Sequence, residues 1–151
     1  MKRAALTVLL VVIALAGCGG ETDPATTPAG TAQAEYLKDL YAGRYAQAYS
    51  TLHPTYKQIV SRSQFSDCAA STIPPGQLDS IEILDVFDDP VQFPGGQEQE
   101  ANAVRVRLTS TSGETTEPFE NHEVKVGDRW YWVLNESAVT AYKAGRCPGG
   151  A

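Results

Sequence analysis

Histidine and carboxylate side chains offer the clearest chemistry in this 151-residue chain. His122 lies two residues after Glu120, so in an extended strand both side chains point to the same side. A neutral imidazole beside a carboxylate can act as a general base near neutral pH. His122 with Glu120 is therefore the candidate catalytic pair, and the alternative is that His122 lies at the solvated rim of its strand.

The other reactive residues lie in patterns that are typical of structural roles rather than of a catalytic or metal-binding site. His53 precedes Pro54, which predicts a position at the end of a helix. The acidic pair at 88–89 precedes a proline, which is typical of a turn. The chain has no glycine-rich phosphate loop and no serine nucleophile elbow. We therefore expect no cofactor and no metal ion.

The spacing of apolar residues changes from helical in the first half of the chain to alternating in the second half. This change predicts an α+β fold in which N-terminal helices pack on an antiparallel sheet. Helices are predicted at residues 32–40, 44–52, 55–60 and 63–70. Strands are predicted at residues 80–87, 101–110, 116–126 and 130–134.

The connection between the last two strands decides which side chains share a face of the sheet. Either a two-residue turn at 127–128 or a three-residue loop at 127–129 could join them. The longer loop pairs Val126 with Trp130 and places the large apolar side chains of both strands on one face, as burial favours. We therefore predict the three-residue loop, which puts His122 and its neighbouring carboxylate on the face of the two tryptophans.

The N-terminus begins with two basic residues, then an apolar stretch at 4–14, and then Leu15-Ala16-Gly17-Cys18. The stretch is short of the ~20 residues that span a bilayer, and the pattern is typical of a secretory signal peptide. It resembles the bacterial lipoprotein signal. That resemblance implies removal of residues 1–17, a lipid (palmitate-type) anchor on Cys18, and export to the extracytoplasmic face of the cell membrane. The alternative is an ordinary cleaved signal with an incidental cysteine.

Composition predicts the organisation of the remainder. Residues 18–31 are rich in Thr, Pro, Ala and Gly, so they are expected to be a flexible tether. Residues 32–147 have the length of one α+β domain, and residues 148–151 form a short tail. The formal net charge of −6 argues against nucleic acid as a partner.

Three cysteines are present in the chain. Once the lipoprotein resemblance assigns Cys18 to the lipid, Cys68 and Cys147 remain as a pair. Export implies an oxidising compartment, so a disulfide between them is expected. Two free thiols or a redox pair are the alternative, although no Cys-x-x-Cys spacing supports it.

Two segments resemble the nuclear transport factor 2-like superfamily, whose domains have a cystatin-like cone of helices cradled by a sheet. They are the helical segment at 40–49 and the last strand at 127–133. Many small actinobacterial lipoproteins look similar. The resemblance implies that N-terminal helices pack on a curved four-stranded antiparallel sheet. The candidate pocket in the cone is lined by Tyr45, Tyr49, His122, Trp130 and Trp132.

Superfamilies of this kind include both enzymes and non-catalytic domains, so the fold does not decide the function. Because no catalytic constellation stands out, we expect a non-catalytic accessory module rather than an enzyme. Its partner would be a small apolar ligand in the cone or an envelope protein on the open sheet face. The alternative is a small dehydratase-like or cyclase-like enzyme that uses His122 with Glu120 or a tyrosine. A third alternative is a stabilising domain like those that precede transpeptidase modules.

Overall fold

The computed structural model describes residues 22–149, so the expected signal peptide and Cys18 lie outside the described residues. Within these residues, four α-helices and six strands follow one another, with 3-10 turns at Pro24–Thr26 and Tyr56–Gln58. The helices are α1 (Pro28–Tyr41), α2 (Tyr45–Ser50), α3 (Arg62–Thr72) and α4 (Glu136–Lys143). The strands are β1 (Leu78–Asp88), β2 (Val91–Gln92), β3 (Glu98–Gln99), β4 (Asn102–Ser110), β5 (Phe119–Val126) and β6 (Arg129–Trp132).

The sheet has the order β1-β4-β5-β6, and all neighbouring strands in it are antiparallel. A register shift between Ile83 and Asp85 interrupts the β1–β4 pairing, and such bulges bend a strand. The short strands β2 and β3 form a separate hairpin. The predicted fold class, α+β with N-terminal helices on a four-stranded antiparallel sheet, is confirmed.

Helix α1 begins at Pro28, earlier than the predicted start at residue 32. The Thr27 hydroxyl caps the helix by accepting a hydrogen bond from the Gly30 backbone N–H at 3.0 Å, and Pro28 occupies the first turn. Ala29 and Gly30 are buried, and a side chain at Gly30 would collide with the Pro24 carbonyl. Residues 24–31, expected to belong to a flexible tether, are therefore folded onto the domain.

Helix α4 was not predicted from the sequence. The Asn135 side chain caps it by accepting from the Ala138 backbone N–H at 2.8 Å. Glu136 in the first turn and Lys143 in the last turn complement the helix dipole. Tyr142 is buried, so this helix adds a wall to the core rather than a loose tail.

A disulfide joins Cys68 of α3 to Cys147, which follows α4, with a Cα–Cα distance of 5.2 Å. The predicted pairing is thus confirmed. The bridge ties the C-terminal helix to the helical layer across 79 residues of chain. No helix within residues 22–149 is both long and apolar enough to cross a membrane.

Candidate functional site

The hairpin of β5 and β6 decides which side chains enter the core. Val126 pairs with Arg129, Lys125 with Trp130, and Glu123 with Trp132. The strands are therefore joined by a two-residue turn, in which Gly127 takes a φ of 61°, as a tight hairpin turn with glycine in its first central position requires. The predicted three-residue loop is wrong.

The prediction failed because it assumed that only one face of this hairpin is buried. Trp132 is 5% exposed and Val124 is 2% exposed, although strand alternation places them on opposite faces. Tyr131, which pairs with Val124, contacts the His53 ring, and that ring in turn packs against Phe93 of the β2–β3 hairpin. We call this covered side the outer face, and the side that carries Trp132 and packs on α1 the inner face.

His122 and Glu120 lie on the outer face, away from the tryptophans. His122 Nε2 is 2.7 Å from Asp89 Oδ2, and the imidazole side chain is 26% exposed. Glu120 forms an ion pair with Arg105 at 3.1 Å instead of contacting the histidine. The structure therefore agrees with the rim alternative for His122 and does not place a catalytic His–Glu pair in the cone.

The tyrosines of the candidate pocket have structural partners. The Tyr45 hydroxyl donates to the Ile73 carbonyl at 2.9 Å, and the Tyr49 hydroxyl donates to the Val60 carbonyl at 2.9 Å. The Trp132 indole N–H donates to the Ala48 carbonyl, also at 2.9 Å. These contacts join helices to one another and to the sheet. The five residues of the predicted pocket are thus not brought together around a common space.

His53, the second histidine, is 6% exposed and closes the edge of the sheet. Its backbone N–H donates to the Trp132 carbonyl at 3.0 Å, and its Nδ1 accepts from the Thr55 backbone N–H at 3.3 Å. Burial, together with the charge of Lys57, lowers the pKa of His53. The imidazole is therefore neutral at pH 7, and its role in this position is packing and chain connection.

The inner face instead presents Glu123, a residue that the sequence analysis did not single out. Glu123 is 1% exposed, and its Oε1 atom has no hydrogen-bond partner among the described residues. Burial raises the pKa of Glu123 to about 8. The carboxyl group is consequently mostly protonated at neutral pH, where it acts as a hydrogen-bond donor as well as an acceptor.

Aromatic rings fill the space beside this carboxyl group. The rings of Tyr36 and Trp132 are stacked with centroids 4.4 Å apart, and Phe65 lies 5.6 Å from Trp132. Burial, with smaller contributions from Tyr142 and Glu123, raises the pKa of Tyr36 above its usual range. Glu123 pairs with Trp132 on the inner face, and Tyr36 of α1 stacks on Trp132, so both polar side chains lie on the side of the sheet that packs on α1.

Gln33 is a further buried polar residue, also on α1. It lies one turn before Tyr36 on α1, on the same side of the helix, and is 0% exposed. Both amide atoms, Nε2 and Oε1, lack a hydrogen-bond partner in the part of the chain that the structure describes. Buried polar groups are normally paired, and each unpaired group costs about 1–3 kcal/mol. We call Gln33, Tyr36 and Glu123 the interior polar cluster.

This cluster is suited to hydrogen bonding rather than to metal binding. A neutral carboxyl and a carboxamide each provide donors and acceptors, and Tyr36 adds a phenol. No group of three or more His, Cys, Asp or Glu residues within 22–149 could hold a metal ion. The chemistry available in the interior is therefore recognition of a small polar molecule, or proton donation from Glu123.

Comparison with known proteins found little similarity. No protein-family model matches the chain, and a search of curated proteins found no match. A crystal structure from Campylobacter jejuni, described as a candidate "NTF2-like transpeptidase", is similar over 68% of this chain and 94% of that chain. The two share 15% sequence identity, with a TM-score of 0.41.

Proposed function

We propose that this chain is an exported, lipid-anchored binding module of the nuclear transport factor 2-like type that holds a small neutral polar molecule in its interior. The observation that supports this proposal is the set of three buried atoms without a partner in residues 22–149. These atoms are the two amide atoms of Gln33 and Oε1 of Glu123. A bound molecule that both donates and accepts hydrogen bonds would satisfy them.

The chemistry of the interior polar cluster limits which kind of molecule could bind there. With its pKa raised to about 8, Glu123 is neutral at pH 7, so the interior offers no net charge to attract an ion. The stack of Tyr36 on Trp132 already occupies the apolar part of the interior. A small amide or alcohol therefore fits this site better than the apolar ligand that the sequence analysis favoured.

A non-catalytic role is supported by the positions of the two histidines. His122 is engaged by Asp89 on the outer face, and His53 is packed at the edge of the sheet. A second candidate function, general-acid catalysis, is favoured by one observation. Glu123 holds a proton at neutral pH close to Tyr36, which is what a general acid needs.

The proposal predicts that the protein purified from its native membrane carries a small molecule. Native mass spectrometry should show an added mass that is released on denaturation. Gln33→Leu combined with Glu123→Leu should abolish that mass, because the amide and the carboxyl group that would bind the molecule are both removed. Glu123→Gln should retain most of it, because the amide still donates and accepts hydrogen bonds.

His122→Gln is the matched control, since it changes a polar residue of the same strand on the opposite face. It should leave the added mass unchanged. Wild-type protein that shows only the mass of the polypeptide and its lipid would contradict the proposal. The general-acid function predicts a different result. The wild type would convert the bound molecule chemically, whereas Glu123→Gln would bind it and release it unaltered.

Membrane anchoring rests on the lipoprotein resemblance of residues 15–18. We expect Cys18→Ala to move the protein from the membrane fraction to the soluble fraction, because a diacylglyceryl group provides the two chains that stable anchoring needs. Cell fractionation followed by immunoblotting measures the shift. Cys68→Ala is the control, since that cysteine belongs to the disulfide. A Cys18→Ala variant that stays with the membrane would rule out the anchor.

A further inference from the structure

Two cations lie close to one tyrosine ring on the outer face of the β5–β6 hairpin. Lys57 Nζ lies 6.0 Å from the centroid of the Tyr131 ring, and Arg129 Cζ lies 5.9 Å from the same centroid. Lys57 Nζ is also 5.6 Å from the Tyr49 ring. These distances are within the range of cation–π contacts. We call Lys57, Arg129, Tyr49 and Tyr131 the basic patch.

The two cations of the basic patch lack an acidic partner. Within residues 22–149, neither Lys57 nor Arg129 lies within 4.0 Å of a carboxylate oxygen, the limit for an ion pair. Three of the five other arginines in residues 22–149 are paired with an acidic residue, namely Arg44, Arg105 and Arg107. The two unpaired cations, both about 6 Å from the centre of one ring, form a local positive site on a chain with a net charge of −6. An anion that contacts both would reduce their mutual repulsion.

Both cations keep donors for such an anion. Lys57 Nζ donates one hydrogen bond to the Ser50 carbonyl at 2.8 Å, which holds the ammonium group in place and leaves two N–H groups. The half-buried position of Lys57 and the charge of Arg129 lower the pKa of Lys57, which indicates that the two cations act on one another. Arg129 is exposed, so its guanidinium fork is accessible from solvent.

We propose that Lys57 and Arg129 together bind the phosphate group of a soluble phosphate ester, with the Tyr131 ring beneath its organic part. Arginine provides a planar fork and lysine a point charge, a combination that suits a phosphate with several acceptor oxygens. The acidic chain as a whole is repelled more strongly by the many charges of an anionic membrane surface than by one phosphate ester, which favours a single soluble anion over a lipid layer. This site is separate from the interior polar cluster and does not depend on it.

The test uses the full chain with Cys18→Ser, so that no lipid can attach, and glycerol 1-phosphate as the probe. Titration at low ionic strength, followed by the NMR signals of the Lys57 and Arg129 backbone amides, should show saturable binding. Arg129→Gln and Lys57→Gln should each raise the dissociation constant by about tenfold or more, because each removes charge-assisted hydrogen bonds. Arg129→Gln is the safer variant, since Arg129 is exposed and Lys57 also contacts Ser50.

Lys125→Gln is the matched control. It removes the same charge from the same hairpin, but Lys125 pairs with Trp130 on the opposite face. It should change the dissociation constant by no more than about twofold, the effect of a distant screened charge. Equal weakening by Lys125→Gln and Arg129→Gln would overturn the proposal, as would an absence of saturable binding.

A vesicle experiment distinguishes the source of the phosphate. Vesicles of phosphatidylcholine with phosphatidylglycerol are added to the same variants in a sedimentation assay. Glycerol 1-phosphate binding that Arg129→Gln weakens, without Arg129-dependent sedimentation, supports a soluble ester. Sedimentation that depends on Arg129, without binding of glycerol 1-phosphate, overturns the soluble ester in favour of a lipid headgroup.

Discussion

Lowering the pH from 8 to 6.5 should stabilise the wild-type protein against unfolding by about 2 kcal/mol, and Glu123→Gln should abolish this gain. The cause is the buried carboxyl group, whose pKa is raised from 4.5 to about 8 in the folded state. Each unit of difference between folded and unfolded pKa is equivalent to about 1.4 kcal/mol. Over the whole interval from pH 8 down to 4.5, the contribution reaches about 4–5 kcal/mol.

The direction of the effect follows from proton binding. Between pH 4.5 and 8 the folded state holds a proton on Glu123 that the unfolded state has lost. The stabilising contribution is therefore complete below pH 4.5 and is lost as the pH rises through 8. The lowered pKa of His53 has the opposite effect, which fades as the pH rises above its ordinary value of 6.5. Because His53 is present in both proteins, the difference in pH slope between the wild type and Glu123→Gln isolates Glu123.

Urea unfolding at half-unit pH steps measures this dependence. Glu120→Gln is the control, because it removes a carboxylate that is exposed on the outer face of the same strand. It should leave the pH slope intact. At pH 8 the Glu123→Gln variant should also be at least as stable as the wild type, since a neutral amide has no charged form to bury. An unchanged slope in Glu123→Gln would show that this carboxyl group ionises normally in the folded protein.

Removing the disulfide should be the other large effect. Cys68→Ala with Cys147→Ala should lower the free energy of unfolding by about 2–5 kcal/mol. The loss of chain entropy in the unfolded state accounts for about 4–5 kcal/mol for a loop of this length. The bridge spans 79 residues and holds α4 against the helical layer. Cys147 is exposed, so its replacement leaves no cavity, whereas Cys68 is 6% exposed and its replacement also reduces packing.

Comparison with the reduced wild type separates these two contributions. The reduced protein retains both sulfur atoms, so its loss of stability reports the cross-link alone. The Cys147→Ala single variant should match the reduced wild type within about 1 kcal/mol, because it also opens the bridge without changing the core. A double variant as stable as the oxidised wild type would mean that the C-terminal segment docks equally well without the bridge.

The order and type of most elements could be predicted from the sequence because they depend on local periodicity. The alternation of Val104, Val106 and Leu108 with polar residues predicted β4, and all three are buried. The ends of helices depended on shorter signals that were overlooked. Thr27-Pro28 is a cap followed by a proline in the first turn, and Asn135-Glu136 is a cap followed by an acidic residue.

The site could not be predicted, because it depends on a register that differs by one residue. With the predicted loop, Glu123 points away from the tryptophans; with the observed two-residue turn, it pairs with Trp132 on the inner face. Deciding between these registers requires knowing that His53 and the β2–β3 hairpin bury the outer face as well. Gln33 gave a weak signal, since it lies four residues before Leu37 on the buried side of α1.

The most direct test of the interior binding site is a high-resolution crystal structure of protein purified from its native membrane and kept at pH 7. We predict non-protein density within hydrogen-bond distance of the Gln33 carboxamide and the Glu123 carboxyl group, larger than a single water molecule. Hydrogen bonds from Gln33 and Glu123 only to each other, to other protein groups or to a single water molecule would contradict an interior ligand.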